Sequence, residues 1–193
     1  MLDLNSIMKY LENSISPKRY IHSINVSKTA KKLAEYYEGD AAKAEIAGLV
    51  HDCARDLDSS LQLDCLKKEG IAADDLTLSV KELLHGPAAV HICRKVFAIE
   101  DEEILNAVRY HTTGKENMSL LEKIIYLSDF IEPARSFPGV EEMRGLAFRN
   151  PDKALLMAFN SSIEYVLSKN GFLHIDTIMA RNYVLKEIQG KIF

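Results

Sequence analysis

The chain has no tryptophan, few prolines and only three cysteines, Cys53, Cys65 and Cys93. An odd number of cysteines with no CxxC spacing excludes a disulfide framework and a thiolate zinc site. They read as reduced core thiols, which places the chain in the cytoplasm. Positive charge is not in excess: Lys and Arg number 24 against 28 Asp and Glu, for a net charge of -4. That balance argues against nucleic acid or an acidic membrane surface as the main partner. A small polyanionic substrate stays open, because bound metal ions reverse the local sign of the field. No apolar run approaches the ~20 residues of a membrane span. Met1-Leu2-Asp3-Leu4-Asn5 lacks the basic stretch and apolar core of a signal peptide. Repeats, low-complexity tracts and alternating strand patterns are also missing. Apolar residues make up 47% of the 193 residues and charged ones 27%, enough for one soluble domain with a sizeable core.

The patterns that remain are helical. Leu4, Ile7, Met8 and Leu11 mark a first helix. Ser16-Pro17 opens a second, running to about Tyr37 and stopping at Gly39. Its stripe Val26, Ala30, Leu33, Tyr37, extended back one turn, places His22 on the buried face. Asp40 caps a helix predicted over Ala41 to Ala54, so the small apolar run Ala47-Gly48-Leu49-Val50 carries His51 and Asp52 inward at its C-terminal end. An aspartate there opposes the helix dipole, and a cation or Arg55 would offset it. Further helices are predicted from Ser59 or Ser60 to Gly70 and from Leu76 to Leu84. A break at His85-Gly86-Pro87 would aim His85 from a stiff corner, and another helix would follow from Ala88 to Phe97. His91 reads as structural. Asp101 caps a helix ending at His111-Thr112-Thr113-Gly114, a polar turn that suits a phosphate or a plain glycine C-cap. Ser119 and Glu122 form a capping box. The helix after it is apolar on most sides yet contains Asp129, an expensive carboxylate unless paired or ligated. A loop with Pro133 and Pro138 follows, flanked by Arg135 and Arg144, whose planar forks suit phosphate oxygens. Pro151 starts a long helix to about Lys169, and Asp176 caps a last one to Ile188. His174, between them, reads as a loop residue.

Taken singly, each inward histidine is most simply a core residue bonded to a carbonyl. Together, His22, His51, Asp52, His85, His111 and Asp129 would leave a bundle core with many unpaired polar groups. A shared metal centre satisfies all of them. They are too many for one structural zinc, which is tetrahedral and prefers sulfur. They suit a two-metal centre bridged by Asp52, the arrangement that drives in-line displacement at phosphorus with ions ~3.5–4 Å apart.

This order of ligands resembles the HD-domain metal-dependent phosphohydrolases with the extended, two-metal ligand set. The phrases AGLVHDCAR, LLHGPAAV, VRYHTTG and MSLLEKIIYLSDFIEPARSFPGVEEMR are similar to the bacterial HD-domain symmetrical dinucleoside tetraphosphatases, the YqeK family. The likeness runs from about Lys18 to the last helix. It implies an all-α, single-domain bundle over residues 1–193, with the HD core at about 18–135 and C-terminal helices at 141–190 packed on it. It implies hydrolysis of diadenosine tetraphosphate to two ADP. His22, His51, Asp52 and Asp129 would hold one divalent ion, commonly iron in this group. His85 and His111, with Asp52 bridging, would hold a second, and Mn or Co could replace iron. Arg55 stands where the family often has lysine.

In the catalytic reading Asp52 holds the ions and Arg55, Arg135 and Arg144 stabilise charge on phosphate oxygens. Arg19, Thr112, Thr113 and Gly114 complete the phosphate-binding set. Two alternatives stay open: another nucleotide phosphohydrolase on the same centre, or a nucleotide-binding regulator with weak turnover. Apolar positions on the terminal helices would serve a homodimer as well as the core.

Overall fold

Most helix starts in the protein coincide with capping residues that the sequence supplies. The computed structural model describes residues 3–190 and, among them, holds eleven α-helices and no strand. The elements are α1 Leu4–Ser14, α2 Pro17–Tyr36, α3 Ala41–Val50, α4 Ser59–Lys68, α5 Asp75–Ser79 and α6 Lys81–Lys95, then α7 Glu102–Tyr110, α8 Leu120–Ile131, α9 Val140–Ala147, α10 Pro151–Ser168 and α11 Ile175–Ile188. Asp3, Asp40, Asp101 and Asn150 each accept a backbone N–H of the first turn they cap. Ser119 and Glu122 form the reciprocal box. Met1 and Leu2, part of the leader reading, lie outside the described residues. No helix among the described residues is long and apolar enough to cross a membrane.

Three expectations are corrected. The helix carrying the His-Asp pair ends at Val50, with His51 as its C-cap. From there the chain tightens: Cys53 N–H donates to Val50 O at 3.0 Å, Arg55 N–H to Asp52 O at 2.9 Å and Leu57 N–H to Ala54 O at 3.2 Å. The break foreseen at His85-Gly86-Pro87 falls instead at Val80, whose backbone is extended, and α6 runs unbroken through Pro87. An interior proline costs ~3 kcal/mol. Here the face formed by Leu84, His85, Gly86, Ala88 and Ala89 is buried against α4 and α7, and that packing prevails. Finally, His174 and not Asp176 caps α11; its imidazole accepts the Asp176 N–H at 3.2 Å.

A single apolar core runs from Ile7 on α1 to Val184 on α11. The most extensive helix contact is that of α2 with α3, and α7 lies against α3, α6 and α8. Glycine makes the first of these possible. A Cβ on Gly48 would stand 2.9 Å from Ser27 Cα and 3.0 Å from Ser27 N, both backbone atoms that cannot swing aside. Gly48→Ala should therefore push α2 from α3 and destabilise the protein by ~1–3 kcal/mol. A melt in chelator reads this directly, and an unchanged midpoint would refute the close approach.

Candidate metal centre

Five of the helices deliver the foreseen ligands to one place. His22 comes from α2, His51 and Asp52 from the end of α3, His85 from α6, His111 from the end of α7 and Asp129 from α8. Asp52 is 3% exposed and lies at the middle. Its Oδ2 is 3.7 Å from His51 Nε2 and 3.9 Å from His22 Nε2. Its Oδ1 is 3.1 Å from His85 Nε2 and 3.6 Å from His111 Nε2. Each carboxylate oxygen thus faces a different pair of imidazoles. The same His22 Nε2 is 2.9 Å from Asp129 Oδ1. Donor atoms of His22, His51 and Asp129 lie within 4.8 Å of one another, as do those of His51, Asp52 and His111.

The outward ring nitrogens decide what the inward ones can do. His51 Nδ1 is 2.8 Å from Gly48 O, and His111 Nδ1 is 2.7 Å from Val108 O. A carbonyl only accepts, so both rings carry their proton on Nδ1 and turn an Nε2 lone pair inward. His22 Nδ1 does the same toward Glu132 Oε1 at 3.2 Å. His51 Nε2 is buried and forms no hydrogen bond among the described residues, while the buried His22 Nε2 has the Asp129 carboxylate beside it at 2.9 Å. An inward His51 lone pair without a partner, and imidazoles gathered around two buried carboxylates, are what a divalent cation requires, so the donor set fits one. His85 differs. Arg55 donates to its Nδ1 at 2.9 Å, so here the ring proton faces Asp52. Ligation through His85 Nε2 requires Arg55 to withdraw.

Burial dominates the electrostatics. It pushes His51 and His85 down to about 4, against smaller opposing contributions from Asp52. Burial would raise the Asp52 and Asp129 carboxyls. The imidazoles around Asp52, and His22 with Arg135 beside Asp129, outweigh it and hold both below their ordinary value. His22 is pushed down by burial but ends raised, because Asp129 and Glu132 favour its cation. In chelator this makes stability pH-dependent. Unfolded His51 and His85 take up protons below about 6.5, whereas in the fold they do so only near 4. Between those values the unfolded chain binds more protons, so stability falls as pH falls; His22 opposes this in part. Melts at pH 7 and pH 5 should differ by on the order of a few kcal/mol. A midpoint that rises on acidification would contradict the buried, neutral state of these rings.

The cationic residues divide. Arg19 pairs with Asp52 Oδ2 at 2.9 Å, and Arg135 donates to the Asp129 carboxylate and to Asp129 O at 2.7 Å. Both stand at the centre. Arg144 does not: its guanidinium donates to Ile131 O, Glu132 O and Arg135 O at 2.8–2.9 Å and pairs with Glu141, so it fixes the loop. Thr112 Oγ1 lies 3.3 Å from both His85 Nε2 and His111 Nε2. Thr113 Oγ1 is turned away, donating to Gly114 O at 2.9 Å. Gly114 is the left-handed cap (φ +67°), packed against Phe159, and offers its backbone to structure. His91 forms a structural pair with Glu69 at 2.7 Å. Glu132, read only as the start of a loop, is 2% exposed and orients His22. Its signal was an acidic residue at the end of the apolar α8, one turn after Asp129.

Known proteins resemble this chain along most of its length. The model of the HD domain matches residues 19–134. A protein of Halalkalibacterium halodurans named "Bis(5'-nucleosyl)-tetraphosphatase, symmetrical" is 39% identical over 93% of this chain and 96% of its own. One of Bacillus subtilis with the same name is 36% identical over 91% of this chain and 94% of its own. A crystal structure from Clostridium acetobutylicum, described as a predicted HD superfamily hydrolase involved in NAD metabolism, superposes with a TM-score of 0.94. It is 48% identical and the match covers 97% of this chain and 99% of that one.

Proposed function

The chain belongs to the HD-domain family, and from that premise we propose that it hydrolyses diadenosine tetraphosphate symmetrically, to two ADP, at the Asp52 centre. One observation carries the substrate: relatives alike over nearly their full length share the name of symmetrical tetraphosphatase. The ligand geometry supports the reaction type independently. His22, His51, Asp52 and Asp129 would hold one divalent ion, and His85 and His111, with Asp52 shared, a second. Iron is the proposed metal, with Mn or Co as substitutes, since mixed imidazole and carboxylate donors suit all three. Such ions, when bound, act as Lewis acids and lower the pKa of water.

The chain's own groups do the rest. Asp52 presents one oxygen to each imidazole pair, and in this reading the reacting phosphate sits over it. Arg19 and Arg135 face that position from the partly exposed side. Their donors now meet the Asp52 and Asp129 carboxylates and turn to phosphate oxygens when those carboxylates take up cations. Arg55, released from His85, adds a third fork. Thr112 Oγ1 is placed to donate to a phosphate oxygen. Water oxygen bonds to one central phosphorus as the bond from the bridging oxygen to that phosphorus breaks; the second ADP leaves with the bridging oxygen. A cytoplasmic location is part of the same reading, supported by three buried free thiols.

The test is product analysis. Protein loaded anaerobically with Fe²⁺, and separately with Mn²⁺ or Co²⁺, is incubated with diadenosine tetraphosphate and its products are separated by ion exchange. ADP as sole product is the expected result. AMP with ATP would overturn the symmetrical register, and no turnover with any of these metals would overturn the assignment.

A further inference from the structure

Beside the metal centre lies a cleft of about 110 Å³ that the sequence did not announce. One wall is the end of α7 and the turn after it, with Arg109, Tyr110 and Thr112. The other is α5 and the start of α11, with Asp74, Thr77, His174 and Asp176. Thr112 belongs to both the cleft and the centre, because its hydroxyl touches His85 and His111.

Arg109 stands apart from the other arginines. Among the described residues Arg19, Arg55, Arg94, Arg135, Arg144, Arg149 and Arg181 all donate to a protein acceptor. Arg109 donates to none. Its guanidinium lies over the Tyr110 ring at 5.1 Å, and both residues line the cleft. Two carboxylates line the same cleft, yet neither is within ion-pair distance of it.

The far wall is built differently. His174 is buried; its Nδ1 accepts the Asp176 N–H, so its Nε2 donates to Thr77 Oγ1 at 3.0 Å. It ties α5 to α11 and leaves the carboxylates of Asp74 and Asp176 about half exposed, facing the cleft. A carboxylate pair repels phosphate and accepts from hydroxyls. A cation with free donors, beside a threonine hydroxyl at the metal centre, does the opposite.

From this polarity we infer that the cleft binds one nucleoside 5'-phosphate arm of the substrate. The phosphate lies at Arg109 and Thr112, the ribose diol donates to Asp74 and Asp176, and the base lies against Ile71, Leu83 and Pro87. The inference rests on the tetraphosphatase reading and assigns one of its two arms.

Calorimetric binding of ADP and of 2',3'-dideoxy-ADP to the metal-loaded protein tests it. Wild type should prefer ADP by about tenfold, since the diol donates to charged acceptors. The double variant Asp74→Asn/Asp176→Asn keeps a capping side chain at residue 74 and should lose that preference. Arg109→Gln should weaken both nucleotides by about tenfold and retain the preference. Equal affinities in wild type, a preference that survives the double variant, or unchanged binding by Arg109→Gln would each overturn the inference. Release of ADP from diadenosine tetraphosphate by the same wild-type sample separates the two readings. Turnover without diol preference removes the cleft assignment alone. The predicted preferences without turnover support the cleft as a nucleotide site and remove the tetraphosphatase reading.

Discussion

Asp52→Ala should abolish turnover, by on the order of 10³-fold or more, and should lose most of the bound metal. Its carboxylate faces both imidazole pairs: its Oδ2 meets His51 and His22, and its Oδ1 meets His85 and His111. Alanine leaves the two halves without a shared anion and also frees Arg19. That arginine is 32% exposed at its side chain and turns to water, whereas the buried His85 Nε2–H loses its acceptor, so the chelated variant should stay folded but lose ~1–3 kcal/mol. Folding and metal loss are thereby separable. Asp52→Asn keeps the shape and removes the charge; it should bind metal nearly as poorly as alanine if the anion is what matters. Metal content by atomic emission, melts in chelator and ADP release give three readouts on one sample. Wild-type metal content in Asp52→Ala would end the shared-carboxylate account.

How far such a site is legible in sequence depends on whether a residue's partners are near it in the chain. His22 could be placed because its neighbours Val26, Ala30 and Leu33 form one helical stripe, and all of them are buried. Asp129 stood out because α8 is apolar almost throughout, so a carboxylate there needed a partner. His111 followed from the Asp101 cap and the Gly114 stop, both local signals. His85 was aimed correctly for the wrong reason. Its helix overrides Pro87 through packing on α4 and α7, which no local rule reveals. Arg144 stands away from the centre because its acceptors are carbonyls of a turn about ten residues upstream, visible only once that turn is built. Arg109 carried no signal at all, because its distinction is the lack of an acceptor.

Glu132 is the clearest case of a residue whose role is tertiary, and its removal should have the second largest effect. Its carboxylate takes three donors at once: His22 Nδ1 at 3.2 Å, Asn25 Nδ2 at 3.0 Å and the Ala134 N–H at 2.7 Å. The first holds the His22 ring so that Nε2 faces Asp129 and the centre. The third closes the turn that carries Arg135. Because the side chain is only 3% exposed, alanine would strand the buried His22 Nδ1–H, while the half-buried Asn25 amide and the exposed Ala134 N–H turn to water. Glu132→Ala should weaken metal binding by ~10–100-fold, the usual cost of losing a group that orients a ligating histidine. It should also cost ~1–3 kcal/mol of stability in chelator, since a buried donor loses a charged acceptor. Glu132→Gln should fall between. Its carbonyl can serve His22 or Asn25, but its amide meets the other donor head-on. At saturating metal, kcat should recover further than metal affinity, because Glu132 acts through His22 and touches no substrate. Titration with Mn²⁺ alongside turnover at saturating metal decides between this and a direct role. Wild-type affinity with a lasting loss of kcat would mean that Glu132 serves the reacting phosphate itself, whereas weakened affinity with kcat largely restored would mean that it sets the aim of His22.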